Sequence, residues 1–214
     1  MDKPAAVIVL YAFNEEQYVR EAVESVLAQD YSNLEIVLSD DGSTDATFQI
    51  MQEAAAAYRG PHRIHLNRNE RQTGIGSQIN AAWRRGAGEL ILLANADDIS
   101  LPHRVEHTVA AWIATGRTAA GISSRLEVIG DDGRRLGRIM ETRNEFRDLP
   151  RATSERFAGP AAASLAISRK CFEQFGPLLD ALIIEDGPLN LRATLTGGMT
   201  FIDEPLVLLS LIHI

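Results

Sequence analysis

Cysteine is almost missing from this chain, with Cys171 standing alone among 214 residues. One thiol closes no internal disulfide, so a reducing compartment is expected and the fold must rest on burial and hydrogen bonds. Cys171 itself reads as a small apolar residue near a helix. Long apolar runs are missing too. No stretch approaches the ~20 residues a spanning helix needs. The apolar run after Met1-Asp2-Lys3-Pro4 is too short and too early for a signal peptide. A soluble cytoplasmic protein is expected, with peripheral contact at the inner face of a membrane left open. Positive charge is in deficit: 21 basic residues against 29 acidic ones leave a net charge of −8, which argues against a nucleic-acid partner. A phosphorylated ligand remains open, because a bound metal ion can supply the positive charge. No phosphate-cradling loop ending in Gly-Lys is present. Gly74-Ile75-Gly76 fails as a dinucleotide fingerprint, since Ile79 occupies the place of its third glycine. The five histidines look scattered, and no pair is expected at metal-binding spacing on one helix.

What is present suits one globular domain: 45% hydrophobic residues supply a core, and 23% charged residues supply a solvated surface. Ala6 to Leu10 is a continuous apolar run, as for a strand covered on both faces. Asn14 followed by Gln17 resembles a capping box, and Val19, Ala22, Val23, Val26 and Leu27 then recur at helical spacing. Leu34–Leu38 predicts a second strand, followed by a helix through Phe48, Met51 and the alanines 54–57. Ile64–Leu66 predicts a third strand, with a helix around Ile79–Trp83. Leu90–Leu93 predicts a fourth, and Pro102 suits the first turn of a helix whose face is Val105, Val109, Trp112 and Ile113. Strands each followed by a helix imply parallel β-α units. After about residue 117 the pattern changes to a hairpin (Ile122–Ile129 with Leu136–Met140) and a long charged loop over 141–160. Then come a strand at Ala163–Ile167, helices at Arg169–Phe175 and Gly187–Thr196, and two strands at Met199–Ile202 and Leu206–Leu211.

Ligands of open α/β sheets bind beyond the carboxyl ends of the strands. Tyr11–Glu15, Asp40-Asp41 and Asn95-Ala96-Asp97-Asp98 all fall there. Clustered carboxylates repel one another unless a cation or hydrogen-bond donors balance them, and oxygen ligands of this kind suit Mg²⁺ or Mn²⁺. The same residues are also good turn and cap formers, because Asp, Ser and Thr accept from exposed backbone N–H groups. Both readings stand at this point.

Six segments in order carry a family resemblance. Val7–Glu16 resembles the opening strand and Asn-Glu turn of the family-2 glycosyltransferases, and Glu24–Gln29 is similar to their first helix. Asp40-Asp41-Gly42-Ser43-Thr44-Asp45 resembles their most recognisable turn, and Gly88–Asp98 the strand leading to the DXD metal motif. Glu185-Asp186 with Leu191-Arg192 resembles the late Glu-Asp motif, and Ile202–Leu206 the strand after it. The resemblance covers about residues 5–213. It implies a GT-A fold: a mostly parallel sheet flanked by helices, with a Rossmann-like nucleotide-sugar-binding half over 1–117 and a smaller mixed acceptor-binding half over 118–214. It also implies that related chains continue beyond this C-terminus.

Carried over by the resemblance, Tyr11, Ala12, Phe13 and Asn14 line the base pocket, Glu15 supports it, and Asp40 accepts from the base with Asp41 beside it. Asn95 and Ala96 contact the donor, Asp97 and Asp98 bind the metal and the sugar-phosphate, and Asp186 is the general base. Two positions depart from the family. Asn95 replaces the first acid of the DXD motif and is expected to meet the donor through its amide. Ser210-Leu211-Ile212-His213 stands where the family has Tyr-Arg-x-His, which makes His213 a candidate metal ligand. The implied activity is inverting, Mn²⁺- or Mg²⁺-dependent transfer from a nucleotide-sugar, with a UDP-sugar as the expected donor and a saccharide or lipid-linked acceptor. The other reading is a nucleotide-binding domain of the same fold that has lost transfer, favoured by Asn95 and the short terminus. A phosphotransferase or nucleotidyltransferase reading finds neither a nucleophile motif nor a Gly-rich activation loop in this chain.

Overall fold

The computed structural model describes residues 3–130, 132–140 and 161–211. In chain order these form β1 (Ala6–Ala12), α1 (Val19–Leu27), β2 (Leu34–Asp40), α2 (Thr47–Ala57), β3 (Arg63–Arg68), α3 (Ile75–Arg85), β4 (Leu90–Asn95), β5 (Ile99–Ser100) and α4 (Arg104–Ala114). They continue with β6 (Gly121–Ile129), β7 (Arg135–Met140), a 3-10 turn (Ala162–Ser164), β8 (Ala166–Ser168), α5 (Arg169–Phe175), α6 (Asp186–Thr196) and β9 (Met199–Ser210). One sheet runs β3-β2-β1-β4-β8-β6-β9-β5, with β7 paired to β6. The β3-β2-β1-β4 half is parallel, as the alternating β-α pattern requires. β8 is antiparallel to β4 and β6, whereas β9 runs parallel to β6. This mixed half carries the chain back across the same sheet.

The period of two along β1 explains the layers. Ile8 and Leu10 face one core, with Val19, Val23 and Val26 of α1, Met51 of α2 and Trp112 of α4. Val7 and Val9 face the other, with Ile79 of α3, Phe172 of α5 and Leu189 of α6. Every residue of β1 is buried, which accounts for its unbroken apolar run. Truncating Ile8 or Leu10 to alanine in such a core costs about 2–5 kcal/mol.

Parallel register sets the functional edge. Tyr11 lies opposite Ser39 of β2 and Asn95 of β4, and Ala12 lies opposite Asp40. Three polar turns therefore leave the sheet side by side.

Several local expectations change. The capping box fails: Asn14 adopts a left-handed φ of 56° in a turn, and the N-cap of α1 is Tyr18, with no side-chain bond. Pro102 lies two residues ahead of α4, and Ile113 is 41% exposed instead of joining the buried face. The strand predicted at Ala163–Ile167 opens as the 3-10 turn and pairs as a strand only from Ala166. The two C-terminal strands are one. β9 stays paired to β6 through Pro205, with register shifts beside Arg125 that absorb the proline's missing donor. The 141–160 loop lies outside the described residues.

Candidate functional site

The first two polar turns are stitched to each other. Asn14 N–H donates to Ser43 Oγ at 2.8 Å, and Thr44 N–H donates back to Asn14 Oδ1 at 2.9 Å. Glu15 N–H donates to Thr47 Oγ1 at 2.7 Å, and Glu16 N–H to Asp45 Oδ2 at 3.1 Å. Backbone donors that would otherwise face solvent are thereby paired, and the two turns are tied together.

Adjacent aspartates in the second turn have different surroundings. Asp41 accepts from Asn69 Nδ2 (2.6 Å), Thr73 N (3.0 Å), Thr73 Oγ1 (2.9 Å) and Gly74 N (2.8 Å), so it anchors the loop that enters α3. Gly74 ends that loop at φ 109°, where a Cβ would meet Asp180 O at 2.6 Å, so only glycine fits. Asp40 accepts Ser43 N–H through Oδ2 at 3.1 Å, and Arg68 Nε lies 3.3 Å from the same oxygen. Its Oδ1 is buried and has no partner among the described residues. A buried acceptor in that state leaves a hydrogen bond unmade.

A cleft of about 390 Å³ opens beside these turns. Tyr11, Ala12, Phe13 and Glu15 line it from the first turn, Asn95 to Asp98 from the end of β4, Glu185 and Asp186 from the start of α6, and Leu209 and Ser210 from β9. Of the residues expected at the site, the structure brings Tyr11, Ala12, Phe13, Glu15, Asn95, Ala96, Asp97, Asp98 and Asp186 to this one cleft. Asn14, Asp40 and Asp41 are not on its wall, and His213 lies outside the described residues.

Asp98 is buried, with both oxygens committed. Oδ1 accepts the Ser210 N–H and Oδ2 the Asn95 side-chain amide, each at 2.8 Å. Burial, reinforced by neighbouring Asp97, pushes Asp98 up to about 7. Arg104 lies fully buried nearby, its guanidinium lowered to about 10 by burial, and donates to Leu93 O at 2.6 Å and Ser100 Oγ at 2.9 Å. Asp97 is the half-buried carboxylate of the pair.

Asp186 opens α6 and accepts the Ala162 N–H at 2.5 Å through Oδ1; burial raises its pKa above the usual aspartate value. Burial likewise raises Glu185. Sequence patterning gave Arg104 no role and did not foresee that Glu185 pairs with Tyr11 or Ser210 with Asp98. Glu185 and Ser210 left a signal only as members of the family-like segments at 185–186 and 210–213.

The cleft wall thus carries Glu15, Asp97, Asp98, Glu185 and Asp186, and no lysine or arginine among the described residues. Among the described residues, a diphosphate entering it meets carboxyl groups and no cationic side chain unless a metal ion accompanies it. Oxygen donors without imidazole or thiolate fit a hard divalent ion such as Mg²⁺ or Mn²⁺.

Comparison with known proteins adds the following. The family described as Glycosyl transferase family 2 matches residues 7–176. The succinoglycan biosynthesis protein ExoO of Rhizobium meliloti is 29% identical over 199 residues, spanning 93% of this chain and 54% of ExoO. The crystal structure of S. aureus TarS 1-349 in complex with UDP-GlcNAc superposes with a TM-score of 0.72 at 18% identity, covering 96% of this chain and 58% of that one. The mannosyltransferase PcManGT from Pyrobaculum calidifontis, in complex with GDP-Man and Mn²⁺, gives 0.70 at 19% identity over 96% of this chain and 56% of its own. The chain spans about half the length of the curated relatives it matches. These structural neighbours share the expected GT-A architecture. No helix among the described residues is long and apolar enough to cross a membrane.

Proposed function

The chain belongs to glycosyltransferase family 2, and from that premise we propose that it transfers a sugar, with inversion, from a nucleotide-diphosphate donor to a hydroxyl of a saccharide or lipid-linked acceptor. The observation that carries the proposal is the single acidic cleft. It joins the turn after β1, the Asn95–Asp98 turn and Asp186 without a basic side chain among the described residues. Residues 1–117 supply the donor side of that cleft and residues 118–214 the acceptor side, including Asp186 and the end of β9.

In this reading Tyr11, Ala12, Phe13 and Glu15 hold the nucleotide, with Asn14 fixing the turn that carries them. Asp40 Oδ1 receives an N–H from the base, and Asp41 holds the adjoining loop. Asp97 is the carboxylate best placed to ligate Mn²⁺ or Mg²⁺. Asp98, buried behind it, sets its position, and His213 stays a candidate ligand outside the described residues. When bound, the ion supplies Lewis-acid stabilisation to the diphosphate leaving group. Asp186 takes the proton of the acceptor hydroxyl as that oxygen bonds to the anomeric carbon and the bond to the diphosphate breaks. One base and one displacement give inversion. Burial helps, because a carboxylate with a raised pKa is a stronger base.

The TarS complex with UDP-GlcNAc supports a UDP-sugar, the PcManGT complex supports a divalent ion, and the name of ExoO supports a glycan product. A lipid-linked acceptor would bring the chain to the inner face of a membrane. The test is release of nucleotide from a panel of UDP- and GDP-sugars, with Mn²⁺ and with EDTA. Mn²⁺-dependent release from one donor supports the proposal. Nucleotide binding with no turnover of any donor supports a binding domain that has lost transfer, and no binding at all overturns both.

A further inference from the structure

A second set of metal-ligating side chains converges away from the cleft and makes no use of its carboxylates. His103 is the residue just before α4 and His107 follows one turn later, its N–H donating to His103 O at 3.0 Å, so the pair is spaced i, i+4 and shares a helix face. This overturns the expectation that no two histidines stand at metal-binding spacing on one helix. Glu204 reaches them from β9, which is fastened alongside by the β5–β9 pairing and by Leu101 N–H donating to Leu206 O at 2.9 Å. His107 Nδ1 lies 2.9 Å from Glu204 Oε2, and His103 Nε2 lies 3.6 Å from Oε1. The two rings are tilted, with centroids 4.7 Å apart, and one ligand atom from each of the three residues lies within 4.8 Å of the others.

We propose that His103, His107 and Glu204 form a binding site for a Zn²⁺-class transition-metal ion that staples the start of α4 to β9. The donor set separates this site from the carboxylate cleft: imidazole with one carboxylate suits Zn²⁺, whereas oxygen-only sets suit Mg²⁺ and Mn²⁺. Geometry agrees. Ligand atoms ~2.0–2.2 Å from a tetrahedral Zn²⁺ stand about 3.3–3.6 Å from one another. The observed separations bracket that range, and the side chains, 34%, 40% and 46% exposed, are free to rotate into it. That exposure also leaves room for water as a fourth ligand. A carboxylate serving two imidazoles only as a hydrogen-bond acceptor would hold no ion, which makes the proposal testable. The staple has a structural consequence. α4 begins a few residues after Asp97-Asp98, and β9 ends at Ser210, whose N–H holds Asp98.

The experiment titrates metal-stripped full chain with Co²⁺, followed by visible absorption, and with Zn²⁺, followed by calorimetry. Excess Mg²⁺ is present throughout to occupy oxygen-only sites. The expected result is about one equivalent bound with a tetrahedral Co²⁺ spectrum, and an affinity reduced by more than about tenfold in each of His103→Gln, His107→Gln and Glu204→Gln. Zn²⁺ should also raise the melting temperature of the wild type but not of the His103→Gln/His107→Gln double variant, whose fold is checked by circular dichroism. Glu204→Gln retains both imidazoles and serves as an independent probe if the double variant misfolds. Equal stoichiometry and affinity in wild type and variants, or no Co²⁺ and Zn²⁺ binding by the wild type, overturns the site.

Discussion

The phenol of Tyr11, at the end of β1, donates a 2.7 Å hydrogen bond to Glu185 Oε1, 174 residues away in sequence. Both groups are buried, at 6% and 7% exposure. The bond joins the first strand of the sheet to the residue preceding Asp186. Burial and the Glu185 carboxylate raise the Tyr11 pKa well above its usual value, so the phenol stays protonated and remains a donor.

Tyr11→Phe should therefore destabilise the fold by about 1–3 kcal/mol, because it strands a buried carboxyl group without its donor. Urea unfolding of Tyr11→Phe, Glu185→Ala and the double variant forms a thermodynamic cycle, because each single change removes the bond. Additive losses would mean that the two side chains are energetically independent despite their contact.

The adjacent aspartates Asp40 and Asp41 should separate by function. Asp41→Asn removes an anion that collects four donors from Asn69, Thr73 and Gly74. It should loosen the 69–74 loop and lower stability by about 1–3 kcal/mol. Asp40→Ala should instead weaken UDP binding by about 1–3 kcal/mol if its unpartnered oxygen receives the base. Hydrogen exchange reports on the loop and calorimetry on UDP. Normal UDP affinity in Asp40→Ala would remove that residue from the base pocket.

Asp97 and Asp98 should also part company. Asp97→Asn should abolish the gain in UDP affinity produced by Mn²⁺ while leaving the melting temperature unchanged. Asp98 acts first on stability. Its folded pKa of about 7 exceeds the usual aspartate value of 3.8, so its contribution is full below about pH 4 and is lost as pH rises through about 7. In EDTA, Asp98→Asn should therefore gain a few kcal/mol relative to wild type between pH 5 and pH 8. A difference between the two proteins that does not vary with pH would show that Asp98 is not protonated in the metal-free fold.

The parallel half of the fold is legible because β1 and β4 are buried on both faces and leave unbroken apolar runs, and in β2 only Glu35 breaks the run. The continuity of β9 is not, since Pro205 carries a stop signal that its register shift against β6 overrides. Asn14 illustrates a different failure: its polar side chain reads as a helix cap, but the nearby backbone N–H of Thr44 takes it instead. The turns that reach the site could be placed from sequence because parallel register aligns strand ends. The Tyr11–Glu185 pair could not, because nothing local links residues so far apart. The His103–His107 spacing is in the sequence, but Glu204, which joins the pair, comes from β9, and no local pattern links that strand to the start of α4.

The last prediction concerns Asp186. Asp186→Asn keeps an oxygen able to accept the Ala162 N–H that the carboxylate accepts now, so the first turn of α6 should survive. UDP affinity should be unchanged. Because burial raises the Asp186 pKa, the ionised form is disfavoured in the fold, and replacing it with a neutral amide should leave the melting temperature equal or slightly higher at pH 8. Transfer to acceptor, by contrast, should fall by roughly 10²–10⁴-fold, since the amide cannot take the proton. Glu185→Gln, which can still accept from Tyr11, is the control and should lose less. The pH profile adds a second readout. A base works only when ionised, so transfer by the wild type should decline as pH falls through the raised pKa, above the 3.8 of an ordinary aspartate. Transfer by Asp186→Asn within a few-fold of wild type, with the acid limb intact, would assign the proton to another group.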